Sequence, residues 1–119
     1  MVPIAGDLIM EGLGLTPDDL HLLQSDLDVI INCAASVNFD DPLLDAIQIN
    51  YMGCLRMLEL AKSCAKLQVH VHVSTAYVNS NLKGTIEEKI YETETGEDPE
   101  DIVARLQRMD PQEIMENEK

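Results

Sequence analysis

No apolar run approaches the ~20 residues that a bilayer-spanning helix needs, and the amino terminus lacks the basic-then-apolar order of a secretory signal. The expectation is a soluble chain with no membrane segment and no targeting segment. Basic residues are scarce: 8 Lys and Arg stand against 22 Asp and Glu, a formal charge of −14. Such a chain repels the phosphates of nucleic acid and of anionic lipid alike, so neither is expected as a partner. Cysteine is limited to Cys33, Cys54 and Cys64, an odd number without CxxC spacing. That pattern argues against a disulfide framework or a zinc site and for small buried hydrophobes in a reducing compartment. No internal repeat is present.

What remains is one domain's worth of sequence, 119 residues, long enough to bury roughly two thirds of its unfolded surface. Residues 1–91 hold twelve acids and five bases, residues 92–119 ten and three, so the final quarter carries half the excess charge. The opening VPIAGDL reads as the end of a strand that breaks at Gly6-Asp7. Thr16-Pro17-Asp18-Asp19 predicts a helix start, with a Thr cap, Pro at the first helical position and acids at the positive end of the dipole. That helix should end near Ser25. Residues 28–35, DVIINCAA, form a short β-branched run suited to a parallel strand covered on both faces.

After the acid-then-proline entry Asp40-Asp41-Pro42, residues 43–66 place Leu44, Ile47, Tyr51, Leu55 and Leu58 at steps of three and four, the mark of an amphipathic helix. VHVHV at 69–73 predicts the next strand, NSNLKG a turn, and residues 99–109 a helix within an acidic, partly helical or disordered segment. The order strand, helix, strand, helix, strand predicts an α/β fold with a doubly wound parallel sheet.

Parallel sheets of this type bind ligands outside the carboxyl ends of their strands. The three expected ends are Gly6-Asp7, Ala34-Ala35-Ser36 and Ser74-Thr75, all small or polar. Paired alanines admit a flat ligand against the backbone, or a closely packed helix. Asp7 suits an exocyclic amino group such as adenine's, or a simple Gly-Asp turn. Asn50, a polar amide on the long helix, must be satisfied by backbone or used to position a water. Thr75 can donate to a substrate oxygen or cap the strand end. His70 and His72 share a strand face, which suits a metal pair, but without a third ligand packing under helices is the stronger reading. Gly12-Leu13-Gly14 lacks the third glycine and the helix of a phosphate-binding loop.

In order, GDL, NCAASVNF, INYMGCLRMLELA, HVSTAYVNS and IEEKIY resemble the central part of an extended short-chain dehydrogenase/reductase, and more narrowly the alcohol-forming fatty acyl-CoA reductases. The resemblance covers residues 1–91 and continues loosely through 92–119 as the acidic connection ahead of the family's catalytic tyrosine. It implies a partial Rossmann-like sheet lacking its first two strands, NADPH as cofactor, and reduction of a fatty acyl-CoA through an aldehyde to a primary alcohol. By position it implies that Asp7 and Leu8 meet adenine, that Cys33, Ala34, Ala35 and Ser74 line the dinucleotide, and that Asn50 and Thr75 serve catalysis. It also implies a domain on the cytoplasmic face, in a family often attached to peroxisomal or endoplasmic reticulum membrane through regions absent here.

Two family elements are missing. No tyrosine has a lysine four residues on: Tyr51, Tyr77 and Tyr91 are followed there by Leu55, Asn81 and Thr95, which makes Tyr77 a packing residue in this reading. No GxxGxxG precedes the first strand. The expectation is therefore a reductase fragment, inactive alone, with an unpaired strand edge prone to self-association. The alternatives are a thioester reductase domain of a carrier-protein system, which shares the VST strand end, and a noncatalytic interaction module derived from the same fold.

Overall fold

Thr16 opens the first regular helix in the way its sequence dictates. Its hydroxyl accepts from the Asp19 amide at 3.2 Å and donates to the Asp19 carboxylate at 2.7 Å. Pro17 fills the first helical position, where its missing N–H is no loss, and α1 runs Pro17–Asp26. The structure, a computed structural model, describes residues 1–110 and 112–114. The end of the acidic segment, residues 115–119, lies outside them.

The chain divides into two units, Met1–Val73 and Ser74–Lys119. In the first, β1 (Val29–Asn32) and β2 (Val69–His72) pair in parallel, in register from Val29↔Val69 to Asn32↔His72. Their crossover is helical: α2 (Leu43–Ala46), a π-helical stretch Ile47–Met52, and α3 (Gly53–Ser63). Crossovers of this length are what parallel strands require, and the helical crossover between parallel strands accords with the α/β expectation. α1 and α3 are tied at their ends, where the Ala65 amide donates to Gln24 O at 2.8 Å and Gln24 Nε2 to Ser63 Oγ at 3.1 Å. The buried apolar residues of this unit are Leu13, Ile30, Leu60 and Ala61.

Three expectations need correction. Residues 2–5 form no strand; a strand exists only through its ladder, and among the described residues the sheet has two strands, β1 and β2. The sheet is covered on one face rather than both. α3 packs on the side of Ile30 and Asn32, while Val29, Ile31, Val69, Val71 and Val73 stay 41–65% exposed on the other. The apolar stripe of the long helix is also displaced: Gly53, Leu60 and Ala61 are buried, and Leu55 and Leu58 are exposed. A π turn holds more residues than an α turn, so a stripe counted at 3.6 residues per turn falls out of phase across Ile47–Met52.

The second unit holds turns followed by α4 (Pro99–Leu106). Asp98 caps α4 by accepting from the Glu100 amide at 2.8 Å, and Arg105 makes two 3.1 Å bonds to the Glu97 carboxylate. Tyr91 is used structurally, its hydroxyl accepting from the Glu87 amide at 2.9 Å with Lys89 above the ring. Tyr77 is 72% exposed rather than packed. No described helix is long and apolar enough to cross a membrane.

Candidate functional site

Asp7 begins a closed loop. Its amide donates to Leu13 O at 2.8 Å, and its carboxylate accepts from the Ile9 amide at 3.0 Å, an Asx turn that leaves the side chain exposed. Gly12, Leu13 and Gly14 all take φ of 60°, so GLG is the turn that closes the loop. Leu13 accepts a left-handed conformation costing roughly 1–2 kcal/mol, offset by burying a side chain worth about 1.5–3 kcal/mol.

The long helix holds this loop. Arg56 Nη1 donates to Leu8 O at 2.8 Å, and Gly53 lets Leu8 approach so closely that a Cβ there would stand 3.2 Å from Leu8 Cβ. Beside Asp7 and Leu8 lies a cleft of about 350 Å³ whose other walls include Leu13, Leu23, Ile30, Met57 and Leu60. An apolar wall with an acceptor at its rim is suited to a flat heterocycle bearing an amino group.

The second segment follows β1. Cys33, Ala34 and Ala35 are exposed, and the backbone on either side is fixed. Asn32 Oδ1 accepts from the Ala34 amide at 3.3 Å. Asn50 binds both backbone groups of Ser36: its Oδ1 accepts from the amide at 2.8 Å, and its Nδ2 donates to the carbonyl at 3.1 Å. Asp41 then accepts from the Ser36 hydroxyl and from Asn38 Nδ2. The paired alanines are thus held open to solvent rather than pressed under a helix, and Asn50 is satisfied by backbone. Asp41 serves this knot instead of capping the helix that follows it.

Ser74 and Thr75 belong to the second unit and are exposed. Thr75 Oγ accepts from the Tyr77 amide at 3.1 Å, a local cap that leaves its hydroxyl proton available for donation. Of the cysteines, Cys54 and Cys64 are partly buried as expected, but Cys33 is exposed at its strand end. Burial raises the thiols of Cys54 and Cys64 above their ordinary range, with a hydrogen bond from Asn32 opposing the effect at Cys54. His70 is part-buried, its Nε2 sealed away without a partner among the described residues; His72, by contrast, is exposed beside Cys54 rather than packed.

Within the first unit the structure therefore presents an exposed acceptor at Asp7 and an open, braced backbone at 33–35, beside an apolar cleft. The NAD-binding family described as male sterility protein matches residues 1–118. The chain belongs to the male sterility NAD-binding family. It is 41% identical over 106 residues to fatty acyl-CoA reductase 1 of Arabidopsis thaliana, covering 86% of this chain and 22% of that protein. Against fatty acyl-CoA reductase 1 of Xenopus laevis identity is 36% over 110 residues, 92% of this chain and 21% of the relative. Human fatty acyl-CoA reductase 2 matches at 36% over 107 residues, 90% and 20% respectively. The chain spans about a fifth of the length of these relatives.

Membership in the male sterility family indicates a nicotinamide dinucleotide as cofactor. The residues present fit its adenosine half: an exposed carboxylate acceptor, an apolar wall at Leu8, and short side chains at 33–35. Sequence reasoning overlooked Arg56, Gly53, the bonding of Asn50 to Ser36, and the grouping of Asn32 with Cys54 and His72. Arg56 carried a signal, being the first Lys or Arg in the chain.

Proposed function

We propose that residues 1–91 are the central part of the NADPH-binding domain of an alcohol-forming fatty acyl-CoA reductase, and residues 92–119 its acidic connection to a later segment. The reading is carried by similarity to several fatty acyl-CoA reductases across most of the chain, supported by the open, braced backbone after β1. Asp7 accepts from the adenine amino group and Leu8 packs beside the ring; Cys33, Ala34, Ala35 and Ser74 line the dinucleotide. When bound, the cofactor supplies hydride. Thr75 donates its hydroxyl proton in a hydrogen bond to the thioester carbonyl oxygen, where charge accumulates as the carbonyl is reduced; a fixed donor there lowers the barrier. Asn50 is a positioning residue, acting through Ser36 on the loop that presents the alanines.

The chain carries neither GxxGxxG nor YxxxK, so the 119 residues alone are expected to bind NADPH more weakly than low micromolar and to form no alcohol. The test is a chimera in which residues 1–118 replace the matching segment of the Arabidopsis reductase. NADPH-dependent conversion of long-chain acyl-CoA to alcohol, followed by gas chromatography, is the expected result. A chimera that folds, binds NADPH and reduces only carrier-bound acyl groups would move the assignment to a thioester reductase. Turnover unchanged by Thr75→Ala would remove the role given to that hydroxyl. The bare valine face and open strand edges further lead us to propose that the isolated chain self-associates.

A further inference from the structure

The cofactor-binding reading leaves one group of reactive side chains unused. Cys54, on α3, points at the end of β2, where its Sγ lies 3.8 Å from His72 Nδ1 and 3.7 Å from Nε2. Asn32, buried at the end of β1, reaches both: its Nδ2 is 3.9 Å from the Cys54 sulfur and 3.4 Å from His72 Nδ1. The thiol proton is directed to Asn50 O at 2.9 Å. Three elements of one unit therefore place a nucleophile, a base and an amide donor together. His72 is exposed and Cys54 only partly buried, so a small reagent can reach the sulfur.

We propose that Cys54 is a thiol–disulfide exchange site for small disulfides, with the His72 imidazole as its proton acceptor. The chemistry follows from what each group can do. A protonated thiol is a poor nucleophile, so it reacts efficiently only if a base removes the proton as sulfur bonds. The imidazole is near enough for a slight rotation to complete that transfer, and Asn32 Nδ2 stabilises the negative charge that develops on sulfur. The Sγ–H bond breaks, the proton goes to His72, and Sγ attacks one sulfur of the disulfide. The S–S bond of the reagent breaks, and the leaving thiolate takes the proton back from the imidazolium. One thiol is consumed and one released: the Cys54 sulfur is oxidised as the departing sulfur is reduced. The net charge of −14 selects among disulfides, disfavouring anionic ones and favouring neutral or cationic ones.

The test uses the intact chain with cystamine, a small cationic disulfide, and peptide mass spectrometry to follow the three cysteines separately. Cys54 is expected to form its mixed disulfide at least as fast as exposed Cys33, despite being less accessible. In urea the assistance at Cys54 should vanish, leaving unassisted, similar rates at all three. His72→Asn should slow Cys54 by about tenfold, less than the roughly 10²–10⁴-fold of a well-aligned general base because the imidazole must first rotate, while Cys64, at the far end of α3, keeps its rate and reports an intact fold. Cys54 reacting several-fold more slowly than Cys33 in the native chain would overturn the proposal without any variant. So would an unchanged Cys54 rate in His72→Asn.

Discussion

Asn50 shows how much a single side chain can decide. It sits on a helix but spends both ends of its amide on the backbone of Ser36, across 14 residues of sequence. Two hydrogen bonds of this kind contribute about 1–2 kcal/mol in a partly solvated setting, so Asn50→Ala should destabilise by that amount and speed hydrogen exchange of the Ser36 amide. Asn50→Asp keeps the acceptor and should protect that amide while losing the carbonyl contact. Gly53 presents two opposing effects. Alanine there gains roughly 1 kcal/mol of helix propensity but must displace Leu8 by a few tenths of an ångström, so Gly53→Ala should be close to neutral. Gly53→Val adds branched bulk against Leu8 and should destabilise by about 1–3 kcal/mol in urea titration. The raised thiols set a pH dependence. Cys54 and Cys64 hold their protons above 9.0 in the folded chain, so as pH climbs past that value the unfolded chain ionises first and stability falls. Below it the two states differ little, and replacing both cysteines with serine should flatten the alkaline decline.

At the scale of elements, the π-helical stretch Ile47–Met52 is where structure departs most from periodicity. Stretches of this kind widen a helix locally and recur at functional sites; here the widened stretch carries Asn50. Deleting Ile49 should restore α-helical winding, turn Asn50 away from Ser36 and release the 33–36 loop, read as faster exchange there with α3 still protected. Much of the framework was legible beforehand because its causes are local. Thr16-Pro17-Asp18-Asp19 is a complete helix start, and the β-branched runs 29–32 and 69–72 announce strands wherever they find each other. The failed strand at residues 2–5 and the misphased stripe had non-local causes, a missing ladder partner and a change of helical pitch. The candidate site divides in the same manner. Small residues after a strand are visible in sequence, whereas the Asn50–Ser36 bond and the Cys54–His72 pair come from the crossover's return onto the sheet.

For the molecule as a whole, the governing fact is how little of the first unit is sealed from water. Four buried apolar residues support it, while five valines and isoleucines stand bare on one sheet face. A surface of that kind drives association, so size-exclusion chromatography with light scattering should show mass rising with concentration, and Val71→Lys should shift the equilibrium towards monomer. The −14 charge opposes association and is screened by salt, so higher ionic strength should strengthen it. On the proposed function, the segments around Asp7 and after β1 receive a nicotinamide dinucleotide. Hydrogen exchange of the reductase chimera with and without NADPH tests it most directly. Protection at residues 7–8 and 33–36 with none in α4 is the predicted footprint; protection confined to other segments, with those two unchanged, would contradict it.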